Sequence, residues 1–164
     1  MGKNRKTYIY HLQIFKDVKM SNRSRKYKMV VQSEIEAHKN KIIEISDTIH
    51  DNPELGLKEY KASNLLTSEL ESIGFNIKKP VAGLDTAFVA TYKGTKKGPK
   101  VAFLAEYDAL PVLGHACGHN IIGASAFGAA LSLKEVIAEL GGTIAVYGTP
   151  DEEGKGGKVN MVEA

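Results

Sequence analysis

The 164-residue sequence predicts an α/β fold built around a parallel βαβ unit. Apolar runs over residues 101–107 and 143–148 flank a segment, residues 120–140, that is rich in Gly and Ala and ends at Gly141-Gly142. Small residues let a helix lie close to a sheet, and two strands joined through such a helix pair in parallel with a right-handed crossover. Polar motifs follow both strands, where folds of this class bind their ligands.

Two helices are expected before this unit. The segment Ser33-Glu34-Ile35-Glu36 has the form of a capping box and predicts a helix over residues 33–51. Asn52-Pro53 then ends that helix, because the residue before a proline avoids the helical conformation. A second helix is predicted over residues 58–73, with Gly74 as the residue that follows its last turn.

A β-rich run over residues 86–92 precedes the βαβ unit. A turn over residues 93–99, with two glycines and a proline, separates it from the apolar run at 101–107. The pattern therefore predicts that these two runs pair as a hairpin.

The net charge of +3 is unevenly distributed along the chain. Nine of the 22 basic residues but one of the 19 acidic residues lie within residues 1–28. Blocks of like charge are typically disordered, so we predict a basic, disordered leader over residues 1–29 and a folded domain over residues 30–164. The domain itself is acidic, and no run of about 18 apolar residues suggests a membrane span. We therefore expect neither nucleic acid nor a membrane as a partner.

Residues that can bind metal follow the ends of both predicted strands. Asp108 follows the first strand, a loop with Cys117 and His119 comes next, and Glu152-Glu153 follows the second. Thiolate, imidazole and carboxylate are the ligands that zinc prefers. Gly118 allows the bend that turns both of its neighbours toward one ion. Of the two glutamates, one can bind metal while the other moves protons.

Each of these residues also has a simpler interpretation. Cys117 is the single cysteine, which fits a reducing, cytoplasmic location, and it can be a small buried hydrophobe. The glutamate pair can be a solvated turn, Asp108 an ordinary turn residue, and His115 a partner of the backbone. A thiol–imidazole hydrolase using Cys117 and His119 is a further alternative, but it leaves the glutamate pair unexplained.

Four motifs together resemble the peptidase M20 family. They are Ile49 to Gly56 (IHDNPELG), Ala105 to Pro111 (AEYDALP), Gly114 to Asn120 (GHACGHN) and Thr149 to Gly157 (TPDEEGKGG). More narrowly, they are similar to the amidohydrolase branch with hippurate hydrolase, the auxin-conjugate hydrolases and the aminobenzoyl-glutamate hydrolases. The resemblance covers residues 33–164.

The resemblance implies a zinc-peptidase-like catalytic domain, a three-layer αβα structure with a mostly parallel sheet. It implies hydrolysis of an amide bond in an N-acyl amino acid or dipeptide-like substrate. Cys117, His119 and Glu153 match metal ligands, Glu152 matches the general base, and Asp108 matches the acid that supports the site; the role of His115 stays unassigned. The cofactor would be a divalent metal, zinc or manganese, with two ions in the full-length enzyme, which we expect to be a homo-oligomer.

Two substitutions and the length depart from the common family pattern. Glu106 and Asn120 stand where many members have Asp, which favours the dipeptidase-like sub-branch that includes peptidase M20 domain-containing protein 2 and the aminobenzoyl-glutamate hydrolases. Family members are longer, and further histidine ligands and a lid domain would follow residue 164. We therefore expect an N-terminal portion of the catalytic domain that is inactive in isolation. The alternative function is a non-catalytic remnant with weak or no metal binding.

Overall fold

The computed structural model describes residues 21–164. Two helices are followed by three strands, a third helix, a fourth strand and a short last helix, and the four strands form one sheet. The elements are α1 (Asn22–Asp51), α2 (Tyr60–Ser72), β1 (Asn76–Lys78), β2 (Phe88–Lys93), β3 (Lys100–Ala105), α3 (His119–Leu140), β4 (Thr143–Gly148) and α4 (Gly157–Glu163).

The predicted βαβ unit is present, since β3 and β4 pair in parallel from Lys100↔Thr143 to Ala105↔Gly148 and α3 joins them. The predicted hairpin is wrong. The strand order is β1-β2-β4-β3, so β4 lies between β2 and β3 and pairs antiparallel with β2. The linker between β2 and β3 passes over the start of β4, where Gly94 N–H donates to the Gly142 carbonyl and Gly142 N–H to the Lys96 carbonyl, both at 2.9 Å. The sheet is therefore mixed, with two antiparallel pairings, where a mostly parallel one was expected.

The core lies between one face of the sheet and the first three helices. Phe88, Ile144 and Val146 on that face are fully buried against Ile45 of α1 and Phe127 of α3. On the opposite face, side chains of α4 border the same groove as β3 and β4. Helices thus lie on both sides of the sheet, as the predicted three layers require.

The helix α1 begins eleven residues before the predicted start at Ser33. Ser21 is its N-cap and accepts a hydrogen bond from Ser24 N–H at 3.1 Å. No glycine or proline interrupts the segment between Ser21 and Ser33, so the earlier cap can nucleate the helix. Residues 22–29 of the predicted leader are thus helical, although most of their side chains are exposed. The rest of that leader, residues 1–20, lies outside the described residues.

The end of α2 matches the prediction. Gly74 adopts φ +92°, and its N–H donates to the Glu71 carbonyl at 2.8 Å while Phe75 N–H donates to the Leu70 carbonyl at 3.0 Å. These two hydrogen bonds form a Schellman motif, which requires a left-handed residue at the position that Gly74 holds.

The helix α3 is the central helix of the fold. Its small residues allow close packing, since a Cβ at Gly128 would lie 2.8 Å from Ile42 Cδ1 and one at Gly123 would lie 3.1 Å from the Glu106 carbonyl oxygen. Within residues 21–164, it is also the one helix whose length and apolar composition would suit a membrane span. More than half of its most apolar stretch is buried in the domain, a pattern that core helices share.

We predict that Gly148→Ala destabilises the domain. A Cβ at this position would lie 2.1 Å from Cε1 of Phe88, whose ring is fully buried and stacks on Tyr107. Overpacking of this kind costs about 1–3 kcal/mol of unfolding free energy, measurable by urea denaturation. Gly128→Ala is the control, because its neighbour is the movable end of the Ile42 side chain and alanine favours the helix. Equal stability of the two variants would contradict this account of the packing.

Deletion of residues 1–28 should change the melting temperature by no more than a few degrees. Among the described residues of this segment, Lys26 and Tyr27 make side-chain hydrogen bonds with Glu139, and the Lys26–Glu139 pair is more than half exposed. Exposed ion pairs contribute little to stability. A much larger drop in thermal unfolding experiments would show that the segment is integral to the domain.

Candidate metal centre

The parallel pairing of β3 and β4 brings the two polar motifs together. Thr149 N–H donates to the Ala105 carbonyl at 2.8 Å, which continues the pairing past the last residues of both strands. Beyond this point the chain leaves β3 through Glu106 and Asp108 and leaves β4 through Glu152 and Glu153. Both motifs therefore lie at one edge of the sheet, as the sequence predicts.

The loop before α3 supplies the third part of the site. Gly118 adopts φ +84° at the N-cap, so that Cys117 ends the loop and His119 begins the helix. A residue with a side chain rarely adopts this conformation, which is the bend expected for Gly118. The half-buried thiol of Cys117 lies 3.8 Å from the Asp108 carbonyl oxygen.

His119 lies at the centre of the site and is 3% exposed. Its Nδ1 is 3.0 Å from the Asp108 carbonyl oxygen and 3.0 Å from Asp108 Oδ1. Its Nε2 is 3.4 Å from Glu106 Oε2, 3.6 Å from Glu152 Oε2 and 3.9 Å from Glu153 Oε1. With Nδ1–H directed at Asp108, Nε2 presents its lone pair toward the carboxylates, which is the tautomer that binds metal.

Two groups of three ligand atoms share His119. The thiol of Cys117, the imidazole of His119 and a carboxylate oxygen of Glu153 lie within 4.8 Å of one another. Glu106, His119 and Glu152 form a second group with the same spacing. The first group contains the three residues that match family ligands. The second adds Glu106, which sequence reasoning noted only as a departure from the family pattern.

Asp108 connects the two halves of the site. Its carboxylate is 1% exposed, and Oδ2 accepts a hydrogen bond from Glu153 N–H at 3.1 Å. Oδ1 lies 3.0 Å from His119 Nδ1 but has no hydrogen-bond partner, because Nδ1 bonds the Asp108 carbonyl oxygen. Asp108 therefore contacts both the His119 ring and the backbone of the glutamate loop.

Negative charge accumulates around His119. Four carboxylates surround the imidazole, and within residues 21–164 one ammonium group contacts them, that of Lys158, which pairs with Glu106 and lies 3.6 Å from Glu152. Burial opposes the charged form of Lys158, but its ion pairs with Glu106 and Glu152 prevail and raise its pKa. No sequence pattern indicated Lys158, because only the position of α4 brings it to the site.

His115 and Asn120 lie beside this centre and belong to neither ligand group. His115 is 8% exposed, and neither ring nitrogen has a hydrogen-bond partner. Burial and the nearby imidazoles of His50 and His119 lower the pKa of His115, so the ring is neutral at neutral pH. The amide of Asn120 donates to Ser46 Oγ at 3.0 Å and so joins α3 to α1.

The residues at this site fit a divalent metal. Thiol, imidazole and carboxylate are the preferred ligands of zinc, and the excess of negative charge favours a dication. The hydrogen bond between His119 Nδ1 and the Asp108 carbonyl oxygen is of the kind that orients metal-binding histidines. The fit thus rests on the donor set and on the oriented ring.

The chain is similar to known proteins in sequence and in fold. No family model matches the chain. It is 37% identical over 151 residues to one of the p-aminobenzoyl-glutamate hydrolase subunits of Escherichia coli (strain K12), covering 80% of this chain and 31% of that protein. It is 40% identical over 133 residues to the Xaa-Arg dipeptidase of Mus musculus, covering 73% of this chain and 31% of that protein. The chain thus spans about a third of the length of these curated relatives.

Solved structures agree with these relatives. A dinuclear metal-binding peptidase of the M20 family from Bacillus subtilis superposes with a TM-score of 0.70 and 30% identity, over 78% of this chain and 39% of that one. A putative aminohydrolase from methicillin-resistant Staphylococcus aureus gives a TM-score of 0.75 with 25% identity, over 82% of this chain and 38% of that one. Over the region that it shares with them, the chain is therefore similar to a hydrolase, a dipeptidase and a peptidase of the M20 family.

Proposed function

We propose that this protein is a metal-dependent amidohydrolase acting on an N-acyl amino acid or a dipeptide-like substrate. The observation that carries the proposal is the buried His119, whose Nδ1 is held by Asp108 while its Nε2 faces a thiol-and-carboxylate cluster. The relatives named a p-aminobenzoyl-glutamate hydrolase and an Xaa-Arg dipeptidase support an amide bond as the target.

Cys117, His119 and Glu153 are the proposed metal ligands. Three protein ligands are typical of a catalytic zinc site, which leaves a further position open. Zinc and manganese are both compatible with the donor set, and the neighbour described as dinuclear supports a second ion. When bound, a divalent metal supplies Lewis-acid activation of water and of the substrate carbonyl.

Glu152 is the proposed general base. Its carboxylate lies 3.6 Å from His119 Nε2, yet its side chain remains a third exposed and so can reach a water molecule. In the proposed reaction Glu152 accepts a proton from the attacking water as the new C–O bond forms. It then returns that proton to the amine nitrogen as the C–N bond breaks, so that a carboxylic acid and an amine leave.

Asp108 has a supporting role in this proposal. It fixes the tautomer of His119 through Nδ1 and the position of Glu153 through its backbone N–H. A cysteine hydrolase is less well supported, because Nδ1 of His119 is held by Asp108 and its Nε2 is directed at carboxylates. A cytoplasmic location and homo-oligomerisation remain predictions.

We predict that Cys117→Ala abolishes most metal binding. The variant removes an anionic ligand. Loss of a group that only supports a ligand typically weakens metal binding by roughly 10–100-fold, and the loss here should be larger. Titration with Co²⁺ provides the test, since Cys117 is the single cysteine and a thiolate-to-cobalt absorption band must come from it. Unchanged zinc content by atomic spectroscopy, or the same cobalt band in the variant, would reject Cys117 as a ligand. A wild-type chain that binds no metal would favour the non-catalytic remnant.

The two glutamates should respond differently to the same substitution. Glu153→Gln should weaken metal binding, whereas Glu152→Gln should retain the metal. In the full-length enzyme, where we expect activity, Glu152→Gln should lower kcat by about 10²–10⁴-fold for an N-acyl amino acid or dipeptide, the usual contribution of a general base. Glu139→Gln, on the surface far from the site, is the control for both measurements. The reverse pattern would mean that the two roles are exchanged.

A further inference from the structure

Glu59 is a buried carboxylate that the proposed chemistry does not use. It immediately precedes α2 and is 0% exposed. Its Oε1 accepts hydrogen bonds from the N–H groups of Leu57 and Asp151, both at 2.9 Å, and its Oε2 accepts one from the Thr86 hydroxyl at 2.8 Å. Burial raises the pKa of Glu59, and these hydrogen bonds oppose that shift. A carboxylate is costly to bury without such partners, so its location requires an explanation.

Two of these hydrogen bonds hold residues in the left-handed conformation. Leu57 has φ +63° and Asp151 has φ +57°. Residues with side chains adopt this conformation rarely, and they keep it only where the surroundings enforce it. Within the described residues four non-glycine positions have positive φ, and one oxygen of Glu59 binds two of them. Glu59 therefore joins the segment before α2 to the loop after β4.

The side chain of Asp151 is closely approached by two glycines. A Cβ at Gly56 would lie 1.9 Å from Asp151 Oδ1, and one at Gly154 would lie 2.3 Å from the same atom. Asp151 Oδ2 accepts a hydrogen bond from Lys155 N–H at 2.9 Å. The side chain thus fits between two glycines, so the backbone at Asp151 has little freedom to move.

The next two residues are the proposed base and ligand. Glu152 and Glu153 follow Asp151 directly, and Glu153 N–H donates to Asp108 Oδ2 on the far side. Two buried carboxylates therefore bind the backbone of this loop: Glu59 at Asp151, just before the pair, and Asp108 at the N–H of Glu153. Metal sites tolerate only small errors in ligand position, so such support affects the site directly.

We propose that Glu59 is a positioning residue, which acts through Asp151 to hold Glu152 and Glu153 in place for metal binding and proton transfer. This inference rests on the proposed function of those two glutamates. Glu59 itself touches neither the ligand groups nor the reacting atoms.

The first test is amide hydrogen exchange of the metal-free protein. Glu59→Met keeps the length of the side chain but removes both acceptors, so exchange at Asp151 and Leu57 should become at least about tenfold faster. Glu59→Gln should keep these amides protected, because its carbonyl oxygen can accept both N–H bonds while its NH₂ faces the Thr86 hydroxyl. Thr67→Val is the matched control. It also removes a buried polar group near Glu59 in the chain, but the Thr67 hydroxyl bonds only within α2, to the Ser63 carbonyl.

The second test is the affinity for zinc alone, measured by calorimetry. Glu59→Met should raise the Kd about 10–100-fold, and Glu59→Gln should restore it to within a few-fold of the wild type. If Glu59→Met fails to fold, Glu59→Asp replaces it, because a carboxylate shorter by one methylene cannot reach both N–H groups. If Glu59 had a merely structural role, Glu59→Met would lower the melting temperature, but the zinc Kd of Glu59→Met and Glu59→Gln would be the same.

The two tests separate this inference from the proposed function. Absence of zinc binding in the wild type would overturn the proposed function, whereas the exchange rates of Asp151 and Leu57 would still test the contacts of Glu59. Unchanged protection of Asp151 in Glu59→Met, or in Glu59→Asp if that variant is used, overturns the positioning role. The positioning role is also overturned if the wild type binds zinc and the zinc Kd of Glu59→Met, or of Glu59→Asp if that variant is used, equals that of Thr67→Val.

Discussion

The parallel register between β3 and β4 is the constraint on which the site depends. Because Ala105 lies opposite Gly148, the residues that follow the two strands leave the sheet at the same height. A shift of one residue would send the glutamate pair or Asp108 to the other face of the sheet. Phe88 packs against Gly148 at the end of β4 and stacks on Tyr107, which follows β3, so the apolar core lies directly beside both strand ends.

The arrangement of charge explains why the site needs support from buried residues. Four carboxylates near one imidazole repel one another, and a loop left free would move them apart. Asp108 and Glu59 oppose that tendency through hydrogen bonds to backbone N–H groups. Two buried acids, Asp108 and Glu59, thus bind the backbone of the loop that carries Glu152 and Glu153.

Much of the fold and of the candidate site could be predicted from the sequence, and the errors have physical causes. The β3–α3–β4 unit and Gly74 were predictable because local patterns determine them. The hairpin was wrong because nothing in the residues of β2 and β3 reveals that β4 lies between them. The start of α1 was wrong because two serines can each serve as a cap. Glu59 gave no signal, since charged residues are usually exposed and only the tertiary fold buries this one.

The short helix α4 links the outer face of the sheet to the acidic cluster. Its residue Lys158 contacts Glu106 and Glu152, and its residues Met161 and Val162 border a groove with Leu104 and Tyr147 on the outer face of the sheet. Because one rigid turn of helix carries both sets of side chains, hydrophobic packing and the neutralisation of the acidic cluster are mechanically coupled. A contact that moves α4 on that outer face would therefore also move the ammonium group that neutralises the acidic cluster.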